Sequence, residues 1–148
     1  MKYLITPQNK IRAFEEDGSQ DSLITEDMKP IASLPEQPWA IDYEAGTVTT
    51  RQPTKEESVS QLQQVRDQSL QGMTHELADE AVVQVRPQDI INFQTAIQLG
   101  ADSEWVLADN TIRTLTVAEM QECLHAGMQQ GKAIWDNYIA SLKVLSAP

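Results

Sequence analysis

A histidine and an aspartate four positions apart have the most metal-like spacing in this sequence. The run His75-Glu76-Leu77-Ala78-Asp79 is similar to the H-E-x-x-H zinc helix, with aspartate in place of the second histidine. On a helix the positions i and i+4 share a face, so His75 and Asp79 would lie side by side. A third ligand is unassigned, and His125 is the only other histidine. Exposed polar residues on an amphipathic helix account for the same letters, so we predict no metal site.

Carboxylates also cluster in the acidic turn of residues 15–21, Glu-Glu-Asp-Gly-Ser-Gln-Asp. Hard cations prefer such clusters, but this turn lacks the alternating oxygen ligands and the distal glutamate of an EF-hand loop. The other carboxylates are too numerous to nominate a general acid and base. No nucleophile elbow, phosphate-binding glycine loop or dinucleotide fingerprint occurs. We therefore predict a solvated turn, no cofactor and no enzymatic activity.

The overall composition excludes several classes of partner. The formal net charge is −11, which disfavours nucleic acid and an anionic membrane surface, because both require clustered Lys and Arg. No apolar run approaches the length of a membrane span or a signal peptide, which predicts a soluble protein made in a cytoplasm. Cys123 is the only cysteine, so no internal disulfide forms, and its apolar helical neighbours predict a buried thiol.

Residues 1–52 have the pattern of short strands joined by turns. Residues 3–6 and 10–14 predict two strands around the turn Pro7-Gln8-Asn9, and Leu23-Ile24 predicts a third strand edge. Three prolines ahead of Trp39 predict an ordered loop or a linker. Residues 41–43 and 47–50 predict one more hairpin. A small β region of this kind must pack on something to be stable.

Residues 53–148 predict a helical module. Thr54 and Glu57 fit a capping box that opens a helix to about Val83. Its apolar face would combine residues at spacings near 3.6, namely Val59, Leu62, Leu70, Met73, Leu77 and Ala81. Two interpretations of this helix stay open. It either packs on its own domain or contributes to a short oligomeric bundle.

The remainder of this module predicts a helix, a hairpin and a last helix. Pro87 suits the first turn of the second helix, Asp89 places negative charge near its positive end, and Gly100 suits its end. Residues 104–107 and 111–114 predict a hairpin around Asp109-Asn110. Residues 116–119, Thr-Val-Ala-Glu, form a second capping box. The fold class is therefore α+β, with a β-hairpin region followed by helix, helix, hairpin and helix.

The aromatic residues divide into core and surface candidates. Trp105 and Trp135 fall in periodic elements, which predicts core positions, and Gly127 and Gly131 would allow a neighbouring backbone to approach closely. Trp39 belongs to no periodic face. It would anchor the N-terminal region either on the helical module or on another protein. We predict partner contacts at Tyr3, Ile5 and Trp39.

Several motifs together resemble a known family. They are Arg86-Pro87-Gln88-Asp89, Trp105 with Ala108-Asp109-Asn110, Leu115-Thr116-Val117-Ala118-Glu119, and Gly131-Lys132-Ala133-Ile134-Trp135 with Tyr138. They are similar to a small domain of unknown function in the tail proteins of tailed bacteriophages. Residues 13–21 are also similar to the openings of phage tail-fibre-associated proteins. The proline-rich middle is not covered. The family has no defined catalytic residues, so the resemblance implies a location in the virion tail and no mechanism.

Two hypotheses follow from this resemblance. In the first, the chain is a virion component near the tail tip or the fibre base, and its N-terminal strands dock on another tail protein. In the second, it is a tail-fibre assembly factor that is absent from the mature virion. The extended N-terminal region ahead of a compact module favours the first hypothesis, and the small size and acidity suit the second. Homo-oligomerisation is compatible with both.

Overall fold

The computed structural model describes all residues, 1–148, and has an α+β fold. The chain divides into two compact units, Met1–Thr54 and Lys55–Pro148, which we call the N-terminal unit and the C-terminal unit. This boundary lies two residues after the one predicted from the change in composition.

The N-terminal unit contains five short strands in two antiparallel sheets. Strands β1 (Lys2–Ile5), β2 (Ile11–Phe14) and β3 (Lys29–Ile31) form a sheet in the order β2-β1-β3. Strands β4 (Trp39–Asp42) and β5 (Thr47–Thr50) form a hairpin. The strand pair β1–β2 and the later hairpin were both predicted from the sequence.

The predicted third strand at Leu23-Ile24 is wrong. Leu23 ends a short 3-10 turn, and its side chain is 60% exposed, so no burial holds it against a sheet. The third strand is instead β3, which contains Pro30 from the stretch predicted to be a loop. Proline is tolerated there because β3 lies at the edge of the sheet.

The C-terminal unit alternates three helices with two hairpins. Its elements are α1 (Lys55–Gln71), β6 (Thr74–Glu76), β7 (Val82–Gln84), α2 (Pro87–Leu99), β8 (Ser103–Val106), β9 (Ile112–Leu115) and α3 (Val117–Ser146). Strand β6 pairs with β7 and β8 pairs with β9, both antiparallel. The predicted helix that begins at Pro87, the predicted hairpin around Asp109-Asn110 and the predicted capped last helix are all present. Gly100 ends α2 in the left-handed conformation with φ of 71°.

The predicted first helix is too long, because the chain leaves the helix after Gln71 and forms the hairpin β6–β7. Met73 and Leu77 are buried as predicted, but their positions belong to this hairpin. The backbone N–H of Leu77 donates to the carbonyl of Ala81 at 2.9 Å, which closes the turn. The turn also holds Glu80 at a φ of 67°, a conformation that glutamate seldom adopts.

The two hairpin–helix segments of the C-terminal unit form an internal repeat with an offset of 30 residues. Leu77-Ala78-Asp79 recurs as Leu107-Ala108-Asp109, and the residue after each triplet has a positive φ, 67° at Glu80 and 65° at Asn110. The backbone hydrogen bond that closes the first turn recurs in the second, from Leu107 N–H to Thr111 O at 2.8 Å. Each hairpin therefore has the same local construction.

The repeat extends into the start of the helix that follows each hairpin. A carboxylate at the third helical position accepts from the backbone N–H three residues earlier in both copies. Asp89 accepts from Arg86, and Glu119 accepts from Thr116, each at 3.0 Å. In α3 the hydroxyl of Thr116 also accepts from the N–H of Glu119 at 3.1 Å, which completes the predicted capping box.

The core of the C-terminal unit lies between the two repeats. Phe93 of α2 is fully buried and stacks on Trp105 of β8, with ring centroids 4.2 Å apart and planes inclined by 9°. Residues from the ends of the hairpins and from α3 complete this core, among them Val83, Val85, Leu115, Met120 and Cys123, all fully buried. The hairpins thus deliver apolar side chains to the same core as the helices.

The buried residues of α3 lie in the first half of the helix. Its buried residues are Met120, Cys123 and Gly127, whereas Met128 and Trp135 are 55% and 45% exposed. The predicted core position of Trp135 is therefore wrong. The predicted close approach at Gly127 is confirmed, since a Cβ atom there would lie 3.0 Å from the carbonyl oxygen of Val85.

The buried thiol of Cys123 gives a testable prediction. Burial raises the pKa of Cys123 to about 11 from its ordinary value of 9.0. The native state therefore favours the thiol form, and this contribution to stability is complete below pH 9 and is lost between about pH 9 and 11. We expect a thiol reagent at pH 8 to label Cys123 only after denaturant is added. Rapid labelling of the native chain at that pH would contradict the burial.

Candidate partner-binding surfaces

The run His75–Asp79, whose spacing is similar to that of the zinc helix, does not lie on a helix. His75 is in strand β6 and Asp79 is in the following turn, so the shared helical face does not exist. The Nε2 atom of His75 lies 2.7 Å from Oε1 of Glu122, and Asp79 forms an ion pair with Arg113 at 2.9 Å. His125 is exposed on α3. No group of three or more His, Cys, Asp or Glu side chains is placed to hold a metal ion.

Arg113 links the two repeats of the C-terminal unit. Its Nη2 atom lies 2.9 Å from Asp79 in the first turn and 2.9 Å from Glu119 in the cap of α3. Arg113 occupies the position equivalent to the fully buried Val83 of the first repeat. A guanidinium therefore replaces a core valine and binds carboxylates that the first repeat and the last helix present. Both contacts are ion pairs within the C-terminal unit.

The acidic turn of residues 15–21 is occupied by local partners. Glu16 binds the N-terminal ammonium at 2.9 Å, and Asp21 binds the Lys2 ammonium at 2.8 Å. Hydrogen bonds from Ser19 hold the pKa of the Asp17 carboxyl below its ordinary value. The carboxylates point to different neighbours, so the turn does not assemble a common cation site.

One edge of the N-terminal sheet has the chemistry of a strand-binding surface. Because Thr6 N–H donates to Lys10 O at 2.8 Å, the alternation of an antiparallel ladder turns the backbone N–H groups of Ile11 and Ala13 away from β1. No other strand pairs with this side of β2. At the opposite edge, Pro30 of β3 has no N–H to offer. The sheet can therefore accept an added strand at β2 more readily than at β3.

The three predicted partner contacts have different environments. Tyr3 and Ile5 lie in the central strand β1, where Tyr3 is half-buried and Ile5 is fully buried. The side chain of Ile5 therefore contributes to packing and offers no surface. Trp39 begins β4 and is half-buried, and its indole N–H donates to the carbonyl of Pro35 at 2.9 Å.

A second surface lies between α1 and α3 in the C-terminal unit. It is a groove of about 430 Å³ with mostly aliphatic walls, formed by residues such as Leu62, Val65, Val144 and Leu145. Beside it the guanidinium of Arg66 lies over the rings of Trp135 and Tyr138, at 4.7 Å and 4.6 Å from their centroids. We call this region the helix groove.

No helix of the chain is both long and apolar enough to cross a membrane.

These features define a small α+β protein with a repeated hairpin–helix core. A comparison with known protein families shows the family to which the chain belongs. Residues 53–143 match a family described as a domain of unknown function, DUF4376, and since they exceed half of the chain, the chain belongs to this family. The match falls almost entirely within the C-terminal unit. No curated protein and no solved structure matches the chain.

Both candidate surfaces were incompletely predicted from the sequence. Partner contacts were predicted at Tyr3 and Ile5 of β1, whereas the open edge of the sheet belongs to β2, since β3 covers the other side of β1. The position of Pro30 indicates that β3 is an edge strand, because proline is tolerated only where no ladder hydrogen bond is required. The helix groove was not predicted, although the amphipathic face of Val59, Leu62 and Leu70 pointed to one of its walls.

Proposed function

We propose that this protein is a non-enzymatic component of a bacteriophage tail, located at the tail tip or with the tail fibres, which docks on another tail protein. The partner contact is made through the N-terminal unit. An extended segment of the partner adds as a strand to the outer edge of β2, and the partner makes further contacts at Tyr3 and Trp39. The chain is synthesised in the host cytoplasm and becomes part of the virion.

The open edge of β2 is the observation that carries this proposal. Strand addition uses backbone hydrogen bonds for affinity and neighbouring side chains for specificity. Ile11 and Ala13 supply outward N–H and C=O groups, while Arg12 and Ala13 are exposed. The resemblance of residues 13–21 to phage tail-fibre-associated proteins begins within this same strand. The phage context rests on that resemblance and on the motifs of the C-terminal unit.

Mass spectrometry of purified phage particles tests the location. We expect this chain in the particle at a fixed ratio to the other tail proteins. If it is abundant in the lysate and absent from particles, it is an assembly factor and the virion proposal is wrong. Absence from any phage-producing lysate would remove both hypotheses.

Substitution of Ala13 by proline tests the docking mode. Ala13→Pro removes an outward N–H without removing a hydrogen bond between β2 and β1, so the sheet should persist while strand addition is weakened. The added strand would lose the hydrogen bond from this N–H, and the hydrogen bonds on either side of it would be weakened. We expect the affinity for the partner to fall by about tenfold or more. The measurement is titration of the full chain against the tail protein that co-purifies with it.

Ala13→Val is the matched control, because valine retains the N–H and favours strands. It should bind the partner as tightly as the wild-type chain. Equal binding by the proline and valine variants would contradict strand addition at β2. Circular dichroism of both variants verifies that the fold is retained.

A further inference from the structure

We propose that the two hairpin turns of the C-terminal unit form a docking site for a basic segment of another protein, one that carries aliphatic side chains between Lys or Arg residues. The site is a cleft lined by residues 80–82 and 107–109, which we call the turn cleft. This inference concerns the C-terminal unit and does not depend on the role proposed for the N-terminal unit.

The turn cleft lies where the two hairpins meet. The backbone N–H of Ala108 donates to the carbonyl of Val82 at 3.0 Å, which fixes the second turn beside the first. The space between the turns is about 370 Å³. Its walls are mainly aliphatic, with Ala81 and Val82 from the first hairpin and Leu107 and Ala108 from the second. A cleft of this size has room for aliphatic side chains of a partner.

An exposed aliphatic pair on the second hairpin borders the turn cleft. Val106 and Ile112 are cross-strand neighbours in β8 and β9, and their side chains are 54% and 70% exposed. The hydrogen bond that closes the turn, from Leu107 to Thr111, makes the next pair along the strands a non-hydrogen-bonded one, in which the two side chains are close together. A hairpin face open to water normally carries polar residues. This pair therefore extends the apolar surface from the cleft onto the open face of the hairpin.

The first repeat has an exposed aliphatic residue at the same position. Val82 corresponds to Ile112 at the offset of 30 residues, and it is 36% exposed. Strand propensity favours β-branched residues at both positions, but threonine satisfies it equally and occupies the exposed position 114 on the same face. The aliphatic residues supply what threonine lacks, an apolar surface for a partner.

The charge of the two hairpins identifies the partner segment as basic. Residues 72–84 and 101–114 contain six carboxylate side chains, and Arg113 is their only Lys or Arg, so their net charge is −5. Arg113 is already bound to two carboxylates. Glu80 and Asp109 place negative charge at the cleft itself. A second copy of this acidic chain would be repelled, whereas Lys or Arg residues beside an aliphatic one would be attracted.

Glu80 stands at the cleft in a conformation that lowers stability. Its φ is 67°, and the second repeat has Asn110 at the equivalent position with a φ of 65°. Asparagine tolerates this left-handed region much better than glutamate does. Backbone strain that a fold retains is typical of a binding position. Here the strained residue sets a carboxylate beside the apolar wall.

Selection from a random library of short peptides on the immobilised full chain tests the proposal. We expect the enriched peptides to combine Lys or Arg with Val, Ile or Leu, and the tightest of them to bind more weakly as salt is raised. Its binding should shift the backbone amide resonances of residues 80–82 and 106–112. Enrichment of acidic or uncharged peptides, no enrichment at all, or shifts confined to other residues would each overturn the proposal.

Ile112→Thr should weaken binding of the selected peptide about fivefold to tenfold, because threonine keeps the strand propensity and removes apolar surface. Ile91→Thr is the matched control, since Ile91 is 64% exposed on α2, and it should bind the peptide as the wild-type chain does. Equal binding by the two variants would contradict the assignment of the site. Ala13→Pro should also leave peptide binding unchanged, which separates the turn cleft from the edge of β2.

Glu80→Asn should change stability and binding in opposite directions. We expect the melting temperature to rise by about 2–5 °C, because the turn loses its strain. Peptide binding should weaken about threefold, because one carboxylate is lost from the cleft. Glu26→Gln is the control for the change in charge, since Glu26 is an exposed carboxylate of the N-terminal unit. A Glu80→Asn chain that binds the peptide as tightly as the Glu26→Gln chain would contradict the role of charge at the cleft.

Discussion

Replacing Phe93 by alanine should destabilise the C-terminal unit by about 3–5 kcal/mol, the cost of a large cavity in a core. Phe93 is fully buried and its ring stacks on Trp105 at 4.2 Å between centroids. The substitution removes both the apolar burial and the stacking contact, and neighbours from two helices and two hairpins cannot all move into the space. Urea denaturation followed by far-ultraviolet circular dichroism measures the change in the free energy of unfolding.

Ile91→Ala provides the control for this prediction. Ile91 lies two residues away on the same helix and is 64% exposed, so its loss should change the free energy of unfolding by no more than about 0.5 kcal/mol. Tryptophan emission should shift to longer wavelength in Phe93→Ala, since Trp105 gains solvent, and should be unchanged in Ile91→Ala. Similar free energies of unfolding for the two variants would mean that the Phe93 side chain does not stabilise the core.

Alanine at the two glycines of α3 should have opposite effects on stability. A Cβ at Gly127 would lie 3.0 Å from the carbonyl oxygen of Val85 and 3.2 Å from Cδ1 of Ile90. Val85 cannot retreat easily, because it is fully buried and its N–H donates to Met73 O at 3.0 Å. The overpacking costs about 1–3 kcal/mol, and the better helix propensity of alanine offsets about 0.5–1 kcal/mol of it.

At Gly131 the nearest atoms to an added Cβ belong to the Met73 side chain at 4.0 Å, an ordinary contact. Gly131→Ala should therefore gain about 0.5–1 kcal/mol from helix propensity alone. The two variants differ by one methyl group and one helical turn, so each controls for the other in thermal denaturation. Stabilisation by Gly127→Ala would show that α3 can move away from Val85 and Ile90, and the close approach would then have no structural role.

The later elements of the C-terminal unit were predictable because each carries a specific local signal. Pro87 and Gly100 mark the two ends of α2, and Thr116 with Glu119 marks the start of α3 through reciprocal hydrogen bonds. Asn110 adopts the positive φ that its short polar side chain tolerates. These signals act over a few residues, so tertiary contacts are not needed to interpret them.

The first hairpin of this unit was missed because two patterns coincide there. Leu70, Met73, Leu77 and Ala81 continue the helical spacing across a segment that leaves the helix after Gln71. Periodicity alone cannot separate this case from a long amphipathic helix. Glu80 gives no turn signal in its residue type, although it adopts a φ of 67°. The repeated Leu-Ala-Asp triplet at 77–79 and 107–109 was the available signal, because it equates this segment with a recognisable turn.

The candidate surfaces depend on features that no single segment contains. The open edge of β2 is known only once β3 is placed on the other side of β1, and β3 follows β1 by more than twenty residues. The helix groove requires α1 and the end of α3 to lie together, although most of the unit separates them in the chain. Residue types predicted amphipathic helices, but their unburied portions follow from where the core ends.

The internal repeat has a consequence for how relatives of this chain should be aligned. A segment containing one hairpin and one capped helix can be matched to residues 77–90 or, shifted by 30 positions, to residues 107–120. The wrong choice would transfer the role of Arg113, which binds two carboxylates, to the buried aliphatic Val83. In this chain the residue at this position distinguishes the two copies, since it is Val83 in the first repeat and Arg113 in the second.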